Sequence, residues 1–160
     1  MKPAHIAAWG VGAIATAYFF DVYLRDRAAG QRARAIALKA SKPMIVVGSG
    51  TDTASFTGPK LWGKGIPGSV HCDAAAAQNA TCGEDTVCYC DAQDLSRFKD
   101  KQFSVALASN FLRYVPDRAK AERELHRIAD EVVISDHVFR WIQIGAGSKH
   151  ALNGLLNGLR

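Results

Sequence analysis

The chain has 160 residues and a net charge of +5, and 48% of its residues are hydrophobic while 22% are charged. These proportions are ordinary for a globular protein. The excess of positive charge lies mainly in residues 25–39 and is not interleaved with aromatic side chains. The composition therefore argues against nucleic-acid binding and favours attraction to anionic lipid.

The first predicted element is a single membrane-spanning helix. Residues 4–24 read AHIAAWGVGAIATAYFFDVYL, which is apolar apart from His5 and Asp21. A helix of this length matches a hydrocarbon core of about 30 Å. By the positive-inside rule, the arginines that follow predict an outside N-terminus and a domain on the cytoplasmic side. A cleaved signal peptide fits less well, because the apolar run is too long and lacks a cleavage site. A buried globular helix is the remaining alternative.

Small residues recur every four positions within this segment, at Ala8, Gly12 and Thr16. Such a strip lets another helix approach closely in a membrane, so we expect other transmembrane helices and membrane lipid as partners. The alternative is that glycine and alanine are simply frequent in spans. We divide the chain into an anchor at 1–25, a basic juxtamembrane linker at 26–42, which can itself be helical, and one domain at 43–160.

The cysteines are Cys72, Cys82, Cys88 and Cys90. A cytoplasmic location disfavours disulfides between them. Zinc sites usually show paired C-x2-C spacing, and the only close pair here is the C-x-C of Cys88 and Cys90. We therefore predict no metal site and expect these two side chains to pack on one face of a strand as small apolar groups.

The rest of the chain alternates between short apolar runs and segments that are polar or rich in glycine and proline. The apolar runs predict strands at 44–47, 69–73, 86–90, 103–109 and 130–136. Residues 74–80 predict one or two helical turns. Asp117 caps a helix over 118–129 in which Ala121, Leu125 and Ile128 share one face. Continuous apolar strands are typical of a parallel sheet covered on both faces. The predicted fold is therefore α/β and Rossmann-like, with a doubly wound, mostly parallel sheet.

Distinctive polar residues follow the first three of these strands. The first strand ends in a Gly-Ser-Gly turn at 48–50, where the backbone can approach a ligand closely. The second ends in Asp73, whose carboxylate can accept both ribose hydroxyls. The third ends in Asp-Ala-Gln at 91–93, which can meet an adenine edge. Ligands of doubly wound sheets bind at the carboxyl ends of the strands, so this order predicts an adenosine-containing ligand.

From about residue 43 to 135 the chain resembles the class I S-adenosylmethionine-dependent methyltransferases, particularly their small-molecule branch. The most specific stretch is CDAQDLSRFKDKQFSVALASNFLRYVPDRAKAERELHRIADEVVIS. The resemblance implies S-adenosylmethionine as cofactor, with ribose at Asp73, adenine at 91–93 and the methyl group near 109–110. The cofactor-binding residues that it implies are Gly48, Ser49, Gly50, Asp73, Asp91, Ala92, Gln93, Ser109 and Asn110. His137, just past the last strand, is the candidate catalytic base.

The chain departs from the family pattern at several positions. Val46 and Ser104 stand where the family has acidic residues, and Asp52 replaces a glycine, so that its charge would repel the cofactor's carboxylate. Two functions therefore stay open. One is membrane-anchored methyl transfer to a membrane-proximal or small-molecule acceptor. The other is a catalytically degenerate fold that serves as a structural or accessory subunit of a membrane complex. A nicotinamide-binding reductase needs a third glycine that opens a long helix, and the sequence does not supply one.

Overall fold

The computed structural model describes residues 3–51 and 59–135, with side chains described from residue 20 onward. Within these residues the elements are, in chain order, α1 (Pro3–Ala40), β1 (Met44–Val47), β2 (Val70–Asp73), β3 (Val87–Tyr89), β4 (Phe103–Ser109), a 3₁₀ turn (Leu112–Tyr114), α2 (Arg118–Ile128) and β5 (Ala129–Ser135). The strands form one parallel sheet in the order β3-β2-β1-β4-β5. The predicted α/β, Rossmann-like parallel sheet is confirmed.

Burial on both faces explains why β1 reads as an uninterrupted apolar run. Alternate side chains of a strand point to opposite faces of the sheet. Met44 and Val46 accordingly pack with the helix α1, while Ile45 and Val47 pack with the cluster that contains α2. Helices cover both faces, as expected of a doubly wound fold.

The C-terminal part of α1 lies directly against the sheet. Ala33 and Ala37 are completely buried there. The ring of Trp62 occupies the space beside Gly30, where any side chain would collide with it. Small residues at these positions let the helix approach the strands closely. Most of the stretch 26–42, expected as a juxtamembrane linker, is thus helical and forms a covering layer of the fold.

Among the described residues, no helix combines the length and apolarity needed to cross a membrane. The predicted transmembrane helix at 4–24 is therefore unsupported. From residue 20 onward, where side chains are described, α1 carries buried small residues and exposed charges. One such charge pair is Arg25 with Asp21, at 2.9 Å. The strip of Ala8, Gly12 and Thr16 lies outside the residues whose side chains are described.

The helix α2 follows its prediction closely. The Asp117 carboxylate accepts a hydrogen bond from the backbone N–H of Lys120 at 2.8 Å, which is an N-cap. Ala121, Leu125 and Ile128 are fully buried against the sheet. The predicted cap and the predicted apolar face are both confirmed.

The helical turns predicted at 74–80 were wrong, because this segment forms only turns. The Asp73 carboxylate accepts from the N–H of Ala75 at 2.9 Å, and the Asp73 carbonyl accepts from the N–H of Ala76 at 3.2 Å. These bonds close a local turn directly after β2. A segment this short does not recover the cost of helix nucleation.

The cysteines form two disulfides, Cys72–Cys90 and Cys82–Cys88, so the prediction that they stay unpaired was wrong. The parallel register sets Cys72 opposite Cys88 across β2 and β3, and Cys90, two residues further along, has its Cα atom 5.5 Å from that of Cys72. Cys88 and Cys90 do share one hydrophobic cluster, as predicted, but each is bonded to a different partner. The prediction rested on an assumed compartment, and spacing alone gives no information on pairing.

Candidate cofactor-binding site

A crevice of about 660 Å³ opens at the carboxyl ends of β1 to β4. This volume lies within the usual range for small-molecule sites. All of the residues that the sequence assigned to cofactor binding line it, namely Gly48, Ser49, Gly50, Asp73, Asp91, Ala92, Gln93, Ser109 and Asn110. The fold thus brings together side chains that lie up to about sixty residues apart along the chain.

The turn after β1 requires glycine at two positions. Gly48 and Gly50 both have φ of +74°, in the left-handed region that favours glycine. The ring of Phe111 packs where a side chain on Gly48 would lie. No atom of the described residues lies within 4 Å of the corresponding position on Gly50. The turn therefore presents open backbone to the crevice at Gly50.

Asp73 connects the end of β2 to this turn. Its Oδ2 accepts from the N–H of Gly50 at 2.9 Å, and its Oδ1 accepts from the N–H of Ala75, also at 2.9 Å. A carboxylate has about four lone-pair positions, so each oxygen can accept a further hydrogen bond. The carboxylate is thus fixed by two backbone donors and retains the capacity to accept from a diol.

The end of β3 is organised by Asp91 and Gln93. The Asp91 Oδ1 accepts from the N–H of Gln93 at 2.8 Å, while the side-chain oxygen of Gln93 accepts from the N–H of Asp117 at 3.1 Å. Gln93 therefore holds the start of α2 in place as well as lining the crevice. The carboxylate of Asp91 and the backbone of the buried Ala92 remain the polar groups available to a ligand there.

Two buried polar atoms at the crevice have no hydrogen-bond partner within the described residues. They are the hydroxyl of Ser49 and the side-chain oxygen of Asn110. Asn110 also has φ of +56°, an uncommon conformation for a residue with a side chain. An unsatisfied buried polar group costs about 1–3 kcal/mol, so such atoms are expected to be satisfied by a ligand. An adenosyl cofactor, which carries hydroxyl and amino donors, fits this arrangement.

A buried polar cluster at one end of the crevice was not predicted from the sequence. The ammonium of Lys60 lies 2.7 Å from Asp26 Oδ2 and donates to the Ser109 hydroxyl at 2.9 Å. The Asp26 Oδ1 accepts from Ser109 at 3.1 Å and from Ser135 at 2.7 Å. The one signal in the sequence was that Asp26 is the only acid among the arginines after residue 24.

The disulfide Cys72–Cys90 lies immediately beneath the site. Cys72 precedes Asp73 and Cys90 precedes Asp91 in the sequence, so the bond joins the two strand ends that carry these carboxylates. Cys90 itself lines the crevice. The spacing between the two carboxylates is therefore covalently restrained.

Of the histidines that the structure describes, neither His71 nor His126 lines the crevice. His71 is completely buried on β2, where the N–H of Gly63 donates to its Nε2 at 2.9 Å and its Nδ1 lies 3.1 Å from the Gly83 carbonyl. Burial lowers the pKa of His71, which favours the neutral form of its ring. The ring thus links two loops. His137 and Asp52 lie outside the described residues.

The sheet order and the crevice define a Rossmann-like domain of the kind that binds nucleotide-containing ligands at its carboxyl edge. Residues 66–132 match the family model described as a methyltransferase domain. The predicted resemblance to the class I S-adenosylmethionine-dependent methyltransferases is thereby confirmed. The matched range includes Asp73 and Asp91 and begins after the glycine turn. Comparisons with curated proteins and with solved structures give no significant match.

Proposed function

We propose that this protein binds S-adenosylmethionine in the crevice and transfers its methyl group to a small-molecule or membrane-proximal acceptor. The observation that carries the proposal is the pair of unpartnered buried atoms, Ser49 Oγ and Asn110 Oδ1, in a crevice lined by every residue implied by the family resemblance. When bound, the cofactor supplies a methyl group on a positively charged sulfur, which an acceptor nucleophile can attack in line.

Residues at different strand ends bind different parts of the cofactor. Asp73, held by the N–H groups of Gly50 and Ala75, accepts from the ribose hydroxyls. Asp91 accepts from the adenine amino group. Ser109 and Asn110, at the end of β4, lie beside the methyl-bearing part of the ligand. The contribution of these residues to the rate is mainly to hold donor and acceptor in a reactive orientation.

Turnover by the full chain tests this proposal. The protein is incubated with methyl-labelled S-adenosylmethionine and a mixed extract of lipids and small metabolites, and labelled products are separated and identified. We expect a labelled acceptor to accumulate with the wild-type chain and not with Asp73→Ala. Binding of S-adenosylhomocysteine without any labelled product would instead support the accessory-subunit function.

One observation favours that alternative. Val46, at the position where the family has an acidic residue, is completely buried against α1 and does not line the crevice. The acidic position of the family pattern is thus occupied here by a residue of the hydrophobic core. A domain can keep its fold after it has lost its activity. The second candidate function is therefore that of an accessory subunit, which has a methyltransferase-type fold and binds partners without turnover.

Membrane attachment is a further part of the proposal. The apolar run at 4–24 and the basic residues after it support an anchor in contact with lipid and other spans. Because α1 continues as one helix to Ala40 and packs on the sheet, an anchored domain would lie close to the membrane surface. The cytoplasmic side stays a prediction, and the two disulfides argue for an oxidising compartment.

Flotation of the full chain with phosphatidylcholine vesicles, with and without an anionic lipid, tests the attachment. We expect the protein to float with both kinds of vesicle and to stay bound in high salt, since the apolar run does not depend on charge. Protein that stays at the bottom of the gradient would contradict the anchor.

A further inference from the structure

We propose that Lys60 binds the carboxylate of the amino-acid part of the adenosyl cofactor and makes the crevice selective for ligands that carry this group. The inference rests on the proposed cofactor. It assigns a role to a lysine that belongs to no motif in the sequence, and to a buried ion pair that links the crevice to α1.

The position of Lys60 is fixed by its backbone and its side chain. Its N–H donates to the carbonyl of Ser49 in the glycine turn at 2.8 Å. Its ammonium contacts Asp26 and the Ser109 hydroxyl, and only 18% of the side chain is exposed. An ammonium has three protons, and these two partners account for two of them. The third has no partner among the described residues, and we assign it to an acceptor in the crevice that Lys60 lines.

The ion pair is costly as a purely structural feature. Burying two charges costs hydration free energy, and their mutual attraction compensates for only part of this cost. Apolar residues of similar volume often stabilise a core equally well. Here Asp26 is held by the hydroxyls of Ser109 and Ser135, so three elements of the fold converge to fix one ammonium at the crevice wall. This arrangement is expected where a positive charge is needed at a defined place.

The distribution of charge along the crevice matches an extended ligand with one anionic end. The strand order places Asp91, Asp73, the glycine turn and Ser109 successively along the edge of the sheet. Adjacent strands lie about 4.8 Å apart, so the ends of β3 and β4 are separated by roughly 14 Å. Among the described residues that line the crevice, Lys60 is the only lysine or arginine. A ligand with amine and hydroxyl donors at the acidic end would therefore place its carboxylate at Lys60.

Two ligands that differ only in the carboxylate test this role. S-adenosylhomocysteine and its decarboxylated form, S-adenosyl-3-thiopropylamine, are titrated calorimetrically into the full chain. We expect the wild-type protein to bind S-adenosylhomocysteine about tenfold or more tightly, as for the loss of one charge-assisted hydrogen bond. This comparison needs no variant and is independent of any effect on folding.

Variants then assign the preference to Lys60. Lys60→Met is expected to bind the two ligands equally, whereas Lys64→Met should keep the wild-type preference. Lys64 is a matched control because it is an exposed lysine whose ammonium pairs with Asp85 at the surface. If loss of one charge destabilises the fold, the double variant Asp26→Asn with Lys60→Met removes both buried charges, and it too should lose the preference.

The outcomes separate this inference from the function on which it rests. Equal binding of both ligands by the wild-type chain, or a preference that survives in Lys60→Met, would overturn the role of Lys60 and leave adenosyl binding intact. Failure of the wild-type chain to bind either ligand would overturn the proposed cofactor, and with it the role of Lys60.

Discussion

Removal of the disulfide Cys72–Cys90 is expected to destabilise the fold by about 3 kcal/mol. A disulfide restricts the unfolded chain, and the stabilisation grows with the length of the closed loop. Cys72 and Cys90 are 18 residues apart, whereas Cys82 and Cys88 are 6 apart. The same relation gives about 2 kcal/mol for the shorter loop. The two contributions are not strictly additive, because the shorter loop lies within the longer one.

Urea unfolding of the oxidised full chain measures this difference. The Cys72→Ala/Cys90→Ala and Cys82→Ala/Cys88→Ala variants are compared with the parent, following tryptophan fluorescence. We expect the first pair to lower the unfolding midpoint more than the second. Addition of a phosphine reductant should lower the unfolding midpoint of the parent. It should not change the midpoint of a variant in which all four cysteines are replaced.

A parent whose stability does not respond to the reductant would refute this reasoning, as would free thiols detected on the unreduced protein by mass spectrometry. Either result would mean that the four sulfur atoms are neighbours without being bonded. The cytoplasmic location predicted from the arginine distribution would then be consistent with the chemistry of the cysteines.

Three further perturbations follow from particular contacts. Because burial lowers the pKa of His71, the unfolded chain binds one more proton than the folded chain below about pH 6.5. The free energy of unfolding should therefore fall with decreasing pH by up to about 1.4 kcal/mol per pH unit. Urea midpoints measured between pH 7.5 and 5 should show this pH dependence, and His71→Gln should reduce it. Arg127→Met should cost about 2 kcal/mol, since the guanidinium binds one carboxylate and two carbonyls of the loop at 95–100. The exposed Arg123→Met should leave the stability unchanged, and equal melting temperatures of the two variants would contradict this reasoning. Gly50→Ala and Gly65→Ala should each cost about 1–2 kcal/mol, because both glycines have positive φ. Within the described residues, neither added methyl group meets another atom within 4 Å. Only the change at Gly50 should weaken S-adenosylhomocysteine binding in a calorimetric titration. An equal loss of affinity in both variants would contradict a specific role of the glycine turn in the crevice.

Much of the sheet was predictable because its strands are apolar throughout. A strand buried on both faces needs no alternation, so runs such as 44–47 and 103–109 indicate both the strand and its covered position. The polar residues that end these strands then fall at one edge by topology alone. Their meeting in a single crevice follows from the parallel arrangement and does not depend on side-chain detail.

The contacts between distant segments could not be predicted from local pattern. Asp26 and Lys60 lie in a helix and in a loop that share no motif, and their pairing depends on how α1 crosses the sheet. A signal for that crossing was present in the small residues Gly30, Ala33 and Ala37, which recur every three or four positions. The basic residues between them favour a lipid-facing linker, which is why the sequence alone predicted one. Arg34 instead donates to the carbonyls of Trp62 and Lys64.

Titration of the full chain with S-adenosylhomocysteine tests the central claim, that the crevice is an adenosyl cofactor site, most directly. The full chain is needed because the part of α1 that holds Asp26 packs on the sheet. We expect saturable binding with a dissociation constant of about 1–100 µM, which Asp73→Ala abolishes and which ATP at the same concentration does not reproduce. No binding at about 1 mM ligand to a folded protein would contradict the claim.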